Sequence, residues 1–282
     1  MSEAEVKLHD EGRPAVLRPP VPRRRRAAAR RAGGDTGIIA GTGAVLLIAW
    51  YALTTSGSIP KIILPAPAGV LQGLEDMFTN GTFAQNFLPS LEEYLLGFAL
   101  GSGISLALGV LMVNVRLLRR IFYPYLAAFN SVPRVALGPL FVTWFGLGIM
   151  SKVWLSAAIC FFPVLVNTVL GLESVEENAV LLMRSLAATR WQVFRKLAWP
   201  SALPSIFAGL ETSATLALIG AVVGEEVGAK NGLMVVLENY NSQLQTGGTF
   251  AVLIVLSILG LLLFSLLTFV DQRLVFWRQH GR

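Results

Sequence analysis

Polar groups and prolines crowd into one otherwise apolar stretch of this chain: Tyr123-Pro124, Asn130-Ser131, Val132-Pro133-Arg134 and Gly138-Pro139. A guanidinium facing lipid is costly. Arg134 therefore marks a polar path, has a partner within the protein, or snorkels to a membrane surface. The prolines remove backbone donors, and the broken helix they produce is tolerated at membrane depth where it lines a cavity or is buried in protein. Asn167, Thr168, Glu211, Thr212 and Thr215 are further polar groups in or near apolar runs, and Glu211 is a candidate counter-charge for Arg134. Each could equally make a helix–helix hydrogen bond. Asn130, Ser131, Arg134, Asn167, Glu211 and Thr215 are thus the residues whose chemistry suits the passage of a polar solute. Bond-breaking chemistry has no such basis. The sequence holds one cysteine, Cys160, and two histidines, His9 and His280, near the ends. It lacks a metalloprotease motif, a nucleophile elbow and a GxxxxGK[ST] phosphate loop, so no catalytic residue, metal site or cofactor is expected.

A second cluster lies between two long apolar runs. Leu186, Trp191 and Phe194 fall among Arg184, Arg190, Arg195 and Lys196, which predicts a short amphipathic helix over 186–194 with basic ends. Pro200 and Pro204 follow and stiffen its exit, since each fixes φ and lacks a backbone donor. A short helix on a rigid stalk between two membrane spans can transmit a push.

The elements that must carry these residues are set by composition. The chain of 282 residues is 54% hydrophobic and 14% charged, against about 25% charged in soluble domains. Its mean hydropathy is +0.62, and this is an all-α membrane protein. Apolar runs of about 20 residues predict six spans, at 37–55, 91–113, 122–146, 151–171, 205–224 and 249–270. Residues 1–36, with Arg23 to Arg26, Arg30 and Arg31, form a basic, disordered tail ahead of a transmembrane domain over 37–282. Nineteen basic residues fall on one side of this arrangement and three, Lys61, Lys152 and Lys230, on the other. Both termini and the 186–194 island are therefore expected in the cytoplasm. The arginine run serves that orientation, and no nucleic-acid partner is expected. Val70, Leu71, Leu74, Met77 and Phe78 fit an interfacial helix. Small residues recur at Gly97, Gly101, Ser105 and Gly109, and again at Gly209, Ser213, Ala217 and Ala221. Such stripes let helices approach closely, either inside one subunit or between two copies.

Taken in order, ILPAP at 63–67, SVPRVALGPLFVTWFGLG at 131–148, SKV at 151–153, FFPVLVNT at 161–168 and RSLAATRWQVFRKLAWPSALPSIFAGL at 184–210 carry a resemblance. The chain resembles the inner-membrane permease subunits of ATP-binding-cassette importers, in the branch handling nitrate, sulfonates, taurine and thiamin-related pyrimidines. The likeness covers most of 59–280 and is strongest over 90–275. It implies a type I ABC importer permease fold in the bacterial cytoplasmic membrane. It also implies a complex with two cytoplasmic ATP-binding subunits, a second permease subunit as a homodimer, and an extracytoplasmic solute-binding protein. In that family a cytoplasmic loop with a Glu-Ala-Ala, three residues, Gly pattern docks on the ATPase. By resemblance Leu186, Ala187, Ala188, Arg190, Trp191, Phe194, Pro200 and Pro204 are the coupling residues, and hydrolysis belongs to the partner. Here Ala187 stands where the glycine belongs and Leu181-Leu182-Met183 where Glu-Ala-Ala belongs. Either the turn is remodelled, or the loop suits an unusual ATPase. Glu211 departs from the arginine many relatives carry after Gly-Leu. A secondary transporter working without an ATPase is the rival reading. It would need a coupling-ion site, whereas acids are almost absent from the expected spans and no internal repeat is visible.

Overall fold

Long apolar runs with few breakers become helices, and the breakers mark where each one ends. The structure, a computed structural model, describes residues 24–57, 59–130 and 132–275. Among them α1 is Arg24–Thr55, α2 Pro67–Thr79, α3 Thr82–Asn114 and α4 Arg116–Asn130. A 3-10 turn over Arg134–Leu137 leads into α5, Gly138–Phe145, and then α6, Ile149–Glu173. The remaining helices are α7 (Glu177–Ser185), α8 (Arg190–Val193), α9 (Trp199–Glu226), α10 (Leu233–Ser242) and α11 (Thr246–Leu274). A π turn over Phe194–Ala198 joins α8 to α9.

Contacts divide the chain into two units, one ending at Leu53 and one beginning at Thr54. The first contains most of α1. Residues 1–23 of the expected tail lie outside the described residues, but 24–36 are helical rather than irregular. Arginine and alanine are both strong helix formers, so the basic run continues the helix of the apolar run behind it.

Four described helices are long and apolar enough to cross a membrane: α3, α6, the continuous stretch Arg190–Glu226, and α11. The expected span at 37–55 is the apolar end of α1, shortened to Gly41–Thr55. The expected span at 122–146 is not one helix. It is cut into α4, the 3-10 turn and α5, because Pro133 and Pro139 cannot donate to a helical ladder and Pro133 opens with extended backbone, φ −67° and ψ 93°.

In the second unit, α6 is flanked along its length by α3 and α9. Both small-residue stripes face it. A Cβ on Gly101 would lie 2.6 Å from the Ala157 carbonyl oxygen, and one on Gly209 3.0 Å from that of Pro163, so both helices touch α6 at backbone distance. Serines join the three helices. Ser105 Oγ donates to Phe161 C=O at 2.7 Å, Ser156 Oγ to Ala217 C=O at 2.8 Å, and Ser213 Oγ to Cys160 C=O at 2.7 Å. The stripes thus serve packing within one subunit.

The order of these contacts fixes the helix directions. Gly97, Gly101 and Gly109 meet Ser156, Cys160 and Thr168 in the same sense, so α3 and α6 run parallel. On α9, Gly209 meets Asn167, while Gly220 and Gly224 meet Ser156 and Lys152, so α9 runs antiparallel to α6. Two parallel neighbours need a return crossing, and residues 115–148 must therefore traverse the length of the bundle as the broken segment. Arg119 at the start of α4 accordingly forms an ion pair with Glu173 at the end of α6. At the other end, α2 lies on α11, burying Val70, Gly73 and Met77 while Leu71 and Phe78 stay exposed. The expected interfacial helix thus spends part of its apolar face inside the protein. Met77, Leu233, Val236, Val252, Val255 and Leu256 form one apolar cluster joining α2, α10 and α11.

Candidate coupling island and translocation path

The island is built from two adjoining caps. α7 ends in a Schellman arrangement: Ala187 N–H donates to Arg184 C=O at 2.9 Å, and Ala188 N–H to Met183 C=O at 3.0 Å. That closure requires a left-handed residue, and Ala187 takes it with φ 56°. The turn is kept despite the missing glycine, and the alanine carries the strain. Two residues later Thr189 starts α8 with a reciprocal capping box. Its N–H donates to Gln192 Oε1 at 2.8 Å, and Gln192 N–H donates to Thr189 Oγ1 at 3.3 Å. The expected helix over 186–194 is thus replaced by a turn over 186–189 and a helix starting at Arg190. Periodicity could not reveal this, because a left-handed residue interrupts the helix without disturbing the apolar spacing.

Beyond Val193 the chain does not stop. Pro200 lacks the donor that would bond Lys196 C=O, and the preceding turn widens to a π form in which Trp199 N–H reaches Phe194 C=O. Pro200 and Pro204 lie in the first turns of α9, so the stalk is a continuous helix. Phe194 lies between Trp191, stacked on it at 5.6 Å, and Trp199, tilted against it at 6.0 Å. It also packs on the Leu172, Ala202 and Ile206 cluster between α6 and α9. Leu186 is 72% exposed and Trp191 65%. An apolar rim on a capped turn is thereby wired through Phe194 to the two helices behind it. Arg190 is exposed and Ala188 half-buried on the same turn.

The residues suited to a polar path are less gathered. Asn130 closes α4, and Ser131 lies outside the described residues. Arg134 Nη1 donates to Ile159 C=O at 3.0 Å, with its guanidinium 5.5 Å from the centre of the Phe162 ring. That carbonyl is the one Pro163 leaves without its helical donor, so Arg134 fills a gap the proline makes in α6. Among the described residues no ion pair between Arg134 and Glu211 is seen. Asn167 Nδ2 donates to Pro163 C=O of its own helix at 2.8 Å and packs against Gly209. It lies eight residues beyond Ile159, about 12 Å along α6. Glu211 and Thr215 are one turn apart on α9, half-buried and exposed respectively. Thr215 borders an apolar groove between α9 and α11 of about 540 Å³ with Leu218, Val222, Leu256 and Phe264.

A third group escaped the sequence reading. Glu93 on α3, Lys152 on α6 and Glu225 on α9 are all buried, with Lys152 Nζ 3.3 Å from Glu93 Oε1. Acids are therefore present inside the bundle, and Lys152, counted among the three basic residues on the non-cytoplasmic side, is buried with them. Both acids belong to adjacent pairs, in SLEEY and VGEEV. One acid of each pair is exposed, Glu92 and Glu226, and the other is buried.

Residues 99–276 match the family model described as "Binding-protein-dependent transport system inner membrane component". The chain is 36% identical over 233 residues to the riboflavin transport system permease protein of Chloroflexus aurantiacus, covering 83% of this chain and 87% of that one. It is 36% identical over 217 residues to the formylaminopyrimidine transport permease protein of Halalkalibacterium halodurans, covering 77% and 86%. It is 30% identical over 235 residues to the putative aliphatic sulfonates transport permease protein of Bacillus subtilis, covering 83% and 85%. Among solved structures, the inward-facing MetNI methionine ABC transporter superposes with a TM-score of 0.56 at 22% identity, over 70% of this chain and 95% of that chain.

Proposed function

Because this chain belongs to the family of binding-protein-dependent transport system inner membrane components, we propose that it moves a small organic solute or oxyanion inward across the cytoplasmic membrane as half of a permease homodimer. The membership makes it an ABC importer permease with the type I fold, whose ATP-binding and solute-binding partners are separate proteins. Two copies of a cytoplasmic ATPase grip the island over 186–194, and both termini lie on that side. The chain has no ATP site of its own. Closure of the ATPases draws the two islands together, and the Phe194 stack and the helix from Arg190 pass the movement to α6 and α9. Two of the relatives above, both 36% identical, are named for heteroaromatic solutes, riboflavin and formylaminopyrimidine. A heteroaromatic cargo is therefore the first to try, with sulfonate, taurine and nitrate next. Cargo selection rests mainly with the solute-binding protein.

The observation that carries this reading is the exposed Leu186 and Trp191 rim on a doubly capped turn. Replacing Trp191 and Phe194 by Asp leaves the spans inserted but abolishes uptake and uncouples it from ATP hydrolysis. Uptake at the wild-type rate in that variant would overturn the coupling role. Copurification of the neighbouring gene products, followed by binding measurements on the solute-binding protein, identifies motor and cargo.

A further inference from the structure

Three side chains cap a helix that belongs to neither of their own elements. Around the start of α10, Gly232 N–H donates to Asn86 Oδ1 at 2.9 Å, Leu233 N–H to Ser90 Oγ at 2.8 Å, and Met234 N–H to Glu225 Oε2 at 2.7 Å. Ser90 Oγ in turn donates to Glu225 Oε1. Asn86 and Ser90 lie on α3 and Glu225 on α9, so donors that a helix start leaves unpaired are consumed by two other helices. The fit is tight. A Cβ on Gly232, whose φ is 145°, would collide with the Glu225 carboxylate.

Beneath this cap lies the ion pair. Lys152 Nζ reaches Glu93 Oε1, and it also contacts the carbonyls of Leu147 and Gly148 at 3.4 and 3.5 Å. Those carbonyls form the turn between α5 and α6, the far end of the broken segment. The same segment meets the residues just past α9, since a Cβ on Gly138 would touch Val227 and one on Gly228 would touch Leu147. Two carboxylates thus lie near one ammonium, and the α10 N-terminus, worth about half a positive charge, offsets part of the remaining negative charge. Glu93 Oε2 is buried with no hydrogen-bond partner, so the cluster is not fully satisfied. Buried ion pairs are costly to assemble and rarely add net stability over apolar packing, and holding one of two alternative arrangements is among their attested uses.

This cluster ties the ends of α3, α6, α9 and α10 together at the end of the bundle remote from the island. We infer that Glu225 and Lys152 are positioning residues of a latch that holds this remote end shut at rest and releases when the island is driven. The gating half of the inference rests on the permease reading; the latch itself does not.

The test uses the full chain assembled with its ATP-binding subunits in proteoliposomes, comparing wild type with Glu225→Gln and Ser90→Ala. Amide hydrogen exchange over Gly232–Met234 should accelerate at least 10-fold in both variants, with the buried part of α11 unchanged. The number of ATP molecules hydrolysed per solute taken up should rise several-fold, because a loosened remote end no longer waits for the island. Unchanged exchange overturns the latch. Faster exchange with an unchanged ATP-to-solute ratio overturns its gating role and leaves a helix cap only. Loss of the fold in both variants also overturns it, marking the cluster as structural. If wild type itself shows no ATP-dependent uptake, the permease reading fails while the exchange arm still reports on the latch.

Discussion

Replacing Gly220 by alanine should destabilise the bundle, while the same replacement at Gly103 should not. The Cβ added at Gly220 would lie 2.5 Å from the backbone Cα of Ser156 and 3.1 Å from its nitrogen. Apolar carbons rest about 3.5–4.0 Å apart, so α9 must retreat from α6 by about 1 Å. Overpacking of this kind costs about 1–3 kcal/mol. The retreat also stretches the Ser156-to-Ala217 bond of 2.8 Å and the Ser213-to-Cys160 bond of 2.7 Å. Interhelical bonds in a membrane average about 0.6 kcal/mol each. Against this, alanine gains about 1 kcal/mol over glycine inside a helix. The net is a destabilisation of about 1–3 kcal/mol. Gly103 on α3 has nothing within 4 Å of its would-be Cβ, so only the gain remains and the variant is neutral or stabilised by up to about 1 kcal/mol. Reversible unfolding of the full chain in bicelles, titrated with a denaturing detergent and followed by tryptophan fluorescence, reads both. Equal effects of the same sign at the two positions would refute the claim that α6 and α9 touch at backbone distance.

Ala187→Gly relieves the left-handed strain, about 1–2 kcal/mol for a residue with a Cβ, and returns part of it as chain entropy. Thermal unfolding should show a net gain of about 0.5–1 kcal/mol, and no gain would mean that Ala187 does not hold φ 56° in the membrane. Thr189→Ala removes the capping box and should cost about 1 kcal/mol in the same assay. Arg134→Ala leaves the Ile159 carbonyl short of a donor, at about 1–3 kcal/mol. Adding Pro163→Ala restores an N–H that can take that carbonyl, so the double-mutant cycle should show positive coupling; strict additivity would mean the two are unconnected.

How much of this could be read from residues alone follows from the range of each interaction. The break in the third span was legible because proline acts on its own backbone, and Pro133 and Pro139 do so wherever the chain goes. The left-handed residue in the island was legible only through the resemblance that placed a glycine at 187. The capping box at Thr189 and Gln192 is also local, but apolar spacing drew attention past it to a helix starting too early. The stripes on α3 and α9 were visible as close-packing surfaces, yet their spacing is the same whether the neighbour is α6 or a second copy. The remote cluster was hidden for a different reason. Glu93, Lys152 and Glu225 are joined by no spacing rule, and each looks like an ordinary charge near a span end until the helices bring them together.

The island is the proposed grip of an ATP-driven partner. A photoreactive residue at position 191, introduced into the full chain in native membranes and illuminated, measures this directly. The account predicts a covalent adduct with the ATP-binding subunit, whose yield changes when a non-hydrolysable nucleotide is added. An adduct with the solute-binding protein instead, or labelling of Arg190→Cys by an impermeant maleimide from outside the cell, would contradict it.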